Sequence, residues 1–144
     1  MNISEIEVSY HPRKLTDTSI GNSVDAYKIF YQLWNKGTME LREDFYVMLL
    51  NRANKAIGIF HLSKGGITAT VVDIKLLFGV VLKTAAQSII LAHNHPSGNL
   101  KPSEADKELT RKIKEASTLL EITVLDHLIL TKDGFYSFAD DGLL

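Results

Sequence analysis

The sequence predicts an α/β fold, a single domain in which a mixed β-sheet is flanked by helices. Segments rich in aromatic and branched residues alternate with segments of helical periodicity. A near-continuous apolar run over residues 88–93 has the length and composition of a central strand buried on both faces. A length of 144 residues, of which 45% are hydrophobic, suits one compact domain over residues 1–144.

Composition and charge restrict the classes of function. The chain has no cysteine, so it can form neither a disulfide nor a thiolate metal site, and any protein ligand to a metal must be His, Asp or Glu. A net charge of -1 gives no general attraction to nucleic acid or anionic lipid. We find no signal-peptide pattern and no apolar run approaching the ~18 residues of a membrane span. We therefore expect a soluble, cytoplasmic protein.

The amino-terminal part predicts two elements ahead of the main sheet. Residues 1–21 are expected to form an arm or a leading strand, because apolar residues alternate there only at Ile6, Val8 and Tyr10. Residues 22–36 are expected to form a leading helix that Ser23 caps.

Residues 40–144 carry the remaining predicted elements, bounded by turn residues. These are strands over 43–50 and 56–62 forming a hairpin, a strand over 67–72, a helix over 74–86, the buried strand over 88–93, a helix over 103–119, and strands over 122–131 and 135–138.

Three potential metal ligands follow the buried strand: His93, His95 and Asp106. Residues two apart in an extended strand point to the same side, with Cα atoms ~6.6 Å apart, so the two imidazoles can converge on one zinc ion. Asp106 falls about one turn into the next helix, which the intervening loop can fold back over the strand end. Two nitrogens and one carboxylate leave a fourth position for water, which is typical of catalytic zinc sites. The pattern predicts a zinc-dependent hydrolase.

Such a hydrolase needs a general base and a donor for the oxyanion. Glu40, Glu43 and Asp44 are the candidate bases, and strand parity does not choose between Glu43 and Asp44 because both faces of their strand are apolar. Ser103 is the candidate oxyanion donor, because its hydroxyl lies near the same helix start as Asp106. The spacing of Ser103 and Asp106 also fits a capping box.

The spacing His-x-His followed after ten residues by Asp resembles the JAMM motif of the JAB/MPN metalloenzyme family. Three further segments resemble the RadC branch of that family: HNHPSG at 93–98, VLDH at 124–127 and FYSFA at 135–139. The resemblance covers residues 40–144. It implies a cytidine-deaminase-like core and hydrolysis of peptide or isopeptide bonds.

The resemblance also implies roles for individual residues. His93, His95 and Asp106 match the zinc ligands, Ser103 matches the residue that stabilises the oxyanion, and Glu43 matches the upstream general base. For His127 two interpretations stand: it orients a ligand or substrate from behind, or it is a strand-end histidine with a local hydrogen bond.

Two functions are therefore expected. The first is an active Zn²⁺ hydrolase with a peptide or isopeptide substrate. The second is a RadC-like binding module in DNA processing, without peptidase turnover. The helix over 103–119 carries both signs of charge, so a solvated face is favoured there over a nucleic-acid face.

Overall fold

The computed structural model describes residues 2–14, 18–66 and 71–144, and within these ranges it has three helices and five strands. They are α1 (Ser23–Leu33), β1 (Asp44–Leu50), β2 (Ala56–Lys64), α2 (Ile74–Lys83), β3 (Ser88–Asn94), α3 (Glu104–Leu119), β4 (Thr123–Thr131) and β5 (Gly134–Ser137). No described helix has both the length and the apolar character needed to cross a membrane.

The strands form one mixed sheet in the order β2-β1-β3-β4-β5. β1 is antiparallel to both β2 and β3, β3 is parallel to β4, and β4 is antiparallel to β5. A parallel pair cannot be joined by a tight turn, and α3 supplies the crossover between β3 and β4. The start of α3 is thereby brought to the carboxyl end of β3.

Each face of the sheet carries its own apolar core. Helices α2 and α3 contribute Leu77 and Ile113 to one core, together with Leu91 of β3. Helix α1 contributes Phe30 to the other core, together with Ile90 of β3. Neighbouring residues of β3 thus point to opposite cores, and every residue of this strand is buried. This two-sided burial explains the near-continuous apolar run and confirms the predicted α/β fold with a mixed, helix-covered sheet.

The predicted elements agree with the observed ones to within a few residues, with differences at element ends. The prediction of Ser23 as a cap is wrong: Asn22 caps α1 by accepting a hydrogen bond from the Asp25 N–H at 2.9 Å, and Ser23 is the first helical residue. Helix α2 ends at Lys83 rather than at residue 86, because Ala85 has a positive φ of 53° that is incompatible with a right-handed helix.

Two further predicted segments differ from expectation or cannot be compared. Residues 2–14 are exposed and belong to no helix or strand, and Ser19 forms an isolated antiparallel bridge with Lys55. For the strand predicted over 67–72, residues 67–70 lie outside the described part of the chain. Val71 and Val72 belong to neither helix nor strand.

Candidate metal centre

Four side chains converge where β3 ends and α3 begins. The Nε2 atoms of His93 and His95 are 3.0 Å apart. The two carboxylate oxygens of Asp106 lie 3.3 Å from Nε2 of His93 and 3.1 Å from Nε2 of His95. An oxygen of Glu43 lies 3.7 and 3.9 Å from the same two nitrogens. The four potential ligand atoms are all within 4.8 Å of one another, so this cluster could hold a metal ion.

The chemistry of these groups fits a cation. Nδ1 of His95 lies 2.6 Å from the Asn99 carbonyl oxygen, which can only accept a hydrogen bond. Nδ1 therefore carries a proton, and Nε2 is the ring nitrogen that faces the cluster, with its lone pair when the ring is neutral. Burial raises the pKa of Asp106, but the two imidazoles and the Ser103 N–H outweigh it and hold the pKa well below its usual range. Asp106 is therefore a carboxylate at neutral pH.

The register between β1 and β3 determines which upstream carboxylate reaches the cluster. Phe45 pairs with His93 in this antiparallel ladder, so the same register places Glu43 opposite His95. Directly opposed residues point to the same face of a sheet. Backbone hydrogen bonds to Gly65 and Gly66, 2.7 and 3.1 Å long, hold Glu43 in line with β1.

The other two candidate bases lie elsewhere. Asp44 points to the opposite side, where its Oδ1 is 3.2 Å from Nε of Arg42. Glu40 is exposed, and its carboxylate is 3.0 Å from Nζ of Lys132. Glu43 is therefore the candidate base that lies beside the imidazoles, and its function as a base stays a prediction.

Ser103 and Asp106 form the capping box that their spacing allows. The Ser103 hydroxyl accepts from the Asp106 N–H at 3.0 Å, and Asp106 Oδ2 accepts from the Ser103 N–H at 2.8 Å. The cap also fixes the rotamer of Asp106 at the cluster. Because the Ser103 oxygen acts as an acceptor here, its hydrogen is available to a group in the adjoining cleft. Capping and oxyanion stabilisation are therefore compatible roles, and the second stays a prediction.

Asn94 is a buried residue of the site that the sequence pattern did not reveal. Its Oδ1 accepts from the Asp44 N–H at 2.7 Å, and its Nδ2 donates to the carbonyl oxygens of Met39 and Arg42 at 2.7 and 2.9 Å. These hydrogen bonds hold the segment that precedes Glu43 against the last residue of β3. The only available signal was its position between the two histidines, where strand alternation turns it to the opposite face.

Asn94→Asp should lower the free energy of unfolding by about 2 kcal/mol or more, because it replaces two satisfied donors by a buried charge facing two carbonyl oxygens. Urea denaturation monitored by circular dichroism measures this change. Asn51→Asp is the matched control, since Asn51 uses only its accepting oxygen, toward the N–H groups of Ala53 and Lys55. An equal loss in both variants would contradict the assignment.

His127 lies directly behind His93. It is fully buried on β4, and its Nε2 is 2.8 Å from Nδ1 of His93. Its other ring nitrogen is 2.7 Å from the Thr110 hydroxyl, and Phe138 stacks on the ring with centroids 4.7 Å apart. Burial, followed by the proximity of His93, lowers the pKa of His127 well below its ordinary value, so the ring is neutral. His127 therefore contacts a potential ligand, and its role in orienting that ligand stays a prediction.

The cluster opens into a cleft of about 890 Å³. Glu43, His95 and Ser103 line it beside apolar side chains that include Phe45 and Leu109. The arrangement places polar groups at the base of a partly apolar cleft, as in many small-molecule and peptide sites.

The amino-acid sequence of this chain matches a known protein family. Residues 20–143 match the RadC-like JAB domain. The chain is 52% identical over 124 residues to a UPF0758 protein of Flavobacterium johnsoniae, covering 86% of this chain and 53% of that protein. It is 46% identical over 104 residues to a UPF0758 protein of Porphyromonas gingivalis, covering 72% and 46%.

Another relative extends the match along the chain. The UPF0758 protein NTHI1125 of Haemophilus influenzae is 38% identical over 142 residues, which cover 99% of this chain and 63% of that protein. The chain therefore spans about half to two thirds of the length of these curated relatives. The match of the family over most of the chain, together with the mixed sheet and the His-x-His and Asp cluster, shows that the chain belongs to the RadC-like JAB domain family.

Proposed function

We propose that this domain is a zinc-dependent hydrolase that cleaves peptide or isopeptide bonds. The observation that carries the proposal is the convergence of two imidazole Nε2 atoms and the Asp106 carboxylate, with the Glu43 carboxylate beside them at 3.7 and 3.9 Å. In this proposal His93, His95 and Asp106 hold the ion, and Glu43 transfers the proton. Zn²⁺ is the expected ion because His and carboxylate ligands in a three-residue set are typical of catalytic zinc.

The bound ion would supply Lewis-acid polarisation of a carbonyl and a lowered pKa for the attacking water. Glu43 would accept the proton of that water and return it to the leaving amine. The Ser103 hydroxyl would donate to the oxygen of the carbonyl as it becomes an oxyanion. The apolar side chains of the cleft would hold the chain on either side of the scissile bond.

The RadC-like binding module without turnover is less well supported. Two of the four cations of α3 are paired within the helix: Arg111 with Glu108 and Glu115, and Lys107 with Glu104. Pairing of these two cations with carboxylates of the same helix reduces the attraction of α3 for a phosphate backbone. Its charges are exposed and solvated, as the sequence predicts.

The test combines metal analysis with a substrate screen. We expect protein purified without chelator to contain one zinc per chain by elemental analysis, and His95→Ala to have lost most of it. His61→Ala is a matched control, because His61 lies on β2 and faces Asp44 instead of the cluster. Equal zinc content in wild type and His95→Ala would remove His95 as a ligand.

The screen uses quenched fluorescent peptides and isopeptide-linked peptide pairs. Hydrolysis that a chelator abolishes and zinc restores would support the proposal. A zinc-loaded protein that cleaves none of them while binding DNA tightly would favour the binding module.

A further inference from the structure

We propose that Thr110 is a positioning residue of the metal centre: its hydroxyl sets the tautomer of His127 and, through it, the direction of the His93 lone pair. This inference rests on the proposed metal site. Thr110 lies on α3, one turn after Asp106, and is buried. It contacts none of the four clustered side chains through a hydrogen bond of its own side chain, and its influence passes through His127.

The argument begins with the single hydrogen of the Thr110 hydroxyl. The hydroxyl donates to the backbone carbonyl oxygen of Asp106 at 2.7 Å, the bond that a helical threonine commonly makes to the residue four positions earlier. It also lies 2.7 Å from Nδ1 of His127. Because its hydrogen is already used, the hydroxyl can only accept at this second contact. Nδ1 of His127 therefore carries a proton.

The next step follows from the surroundings of His127. The ring is fully buried, and its two nitrogens contact a hydroxyl and an imidazole but no carboxylate. A positive charge on this ring would be buried without a counter-ion, so the ring is neutral. A neutral imidazole has one protonated and one unprotonated nitrogen, so Nε2 of His127 is an acceptor. It lies 2.8 Å from Nδ1 of His93, which must then be the donor. His93 is left with its lone pair on Nε2, the atom that lies 3.3 Å from Asp106 and 3.0 Å from Nε2 of His95.

The chain of bonds thus runs from the His93 ring through His127 and Thr110 to the backbone of Asp106. It joins the strand that supplies one potential ligand to the helix that supplies another. The Asn99 carbonyl orients His95 independently. With both rings neutral, the two imidazoles direct lone pairs at the same point, which favours a cation there.

Long-range ¹H–¹⁵N correlation spectra of the wild-type protein test the tautomers directly, since they distinguish protonated from unprotonated ring nitrogens. We expect His127 to be protonated on Nδ1 in both metal-free and Zn²⁺-loaded protein, and His93 to be protonated on Nδ1 when zinc is bound. A proton on Nε2 of His127 would overturn the inference, because Thr110 would then be the donor of the chain.

Zinc affinity tests the consequence. Thr110→Val removes the hydroxyl and should weaken Zn²⁺ binding about tenfold, measured by competition with a chromophoric chelator. Thr110→Ser keeps the hydroxyl and should restore wild-type affinity. Thr118→Val is the matched control, since Thr118 makes the same backward bond on the same helix, to the Lys114 carbonyl, but is exposed. Unchanged affinity in Thr110→Val would overturn the inference.

The outcomes separate this inference from the proposed function. A wild-type protein that binds no zinc would refute the metal site, while the tautomer of His127 in the metal-free protein would still decide the role of Thr110. A protein that binds zinc with His127 protonated on Nε2 would keep the metal site and refute the role of Thr110. If Thr110→Val does not fold, the wild-type spectra alone decide.

Discussion

Glu43→Gln should lower turnover by about 10²–10⁴-fold while leaving one zinc per chain. Glutamine keeps the size and the hydrogen-bonding capacity of the side chain but cannot accept a proton. In the proposed site, metal affinity would depend mainly on His93, His95 and Asp106, whereas proton transfer would depend on the carboxylate beside them. The measurements are kcat/KM on a substrate from the peptide screen and zinc content by elemental analysis.

Glu40→Gln is the control for this prediction. Glu40 is a nearby carboxylate at the mouth of the same cleft, but it is exposed and paired with Lys132. We expect near wild-type turnover from it. Full activity in Glu43→Gln, or an equal loss in Glu40→Gln, would show that another group is the base.

Ser103→Ala should lower turnover by about 10²–10³-fold, the usual cost of removing one oxyanion donor. Its effect on stability should be small, since loss of a helix cap costs about 1 kcal/mol. The two roles of the hydroxyl therefore separate by measurement: thermal denaturation reports the cap, and kcat reports the oxyanion donor.

Ser103→Thr serves as the matched variant because threonine keeps both the cap and the donor. It should recover most of the activity and all of the stability. A Ser103→Ala variant that melts markedly lower but retains wild-type kcat would assign the residue to capping alone.

The residues of the candidate metal site were predictable because their signal is local. His93 and His95 alternate at the end of a strand, and Asp106 follows in the first turn of the next helix, so spacing alone brings them together. The sequence did not identify the correct residue where two neighbouring residues suit the same role equally well. Asn22 and Ser23 are both good helix caps, and the sequence does not say which of them starts α1.

The surroundings of the cluster were not predictable from the residues because they depend on pairings between distant segments. His127 meets His93 across 34 positions of the chain and Thr110 across 17. Only the family resemblance singled out Glu43, because β1 is apolar on both faces and the alternation of its side chains carries no information about register. The observed pairing of Phe45 with His93 gives the register between β1 and β3, which the sequence pattern does not contain.

Two-sided burial of β1 has a consequence for how the chain avoids misalignment. In a strand that has one solvent-exposed face, a register shift by one residue turns the apolar side chains to solvent and is strongly disfavoured. This penalty does not apply to β1, because both of its faces are apolar and a register shift would replace one row of apolar side chains by the other. The same shift would replace Glu43 opposite His95 by Asp44 or by Arg42, the latter a fixed positive charge beside the potential ligands. Asn94 makes three hydrogen bonds to backbone groups of Met39, Arg42 and Asp44, and a shifted strand would have to break and re-form them. The side-chain amide of one buried residue thus helps to stabilise the register that places the candidate base opposite His95.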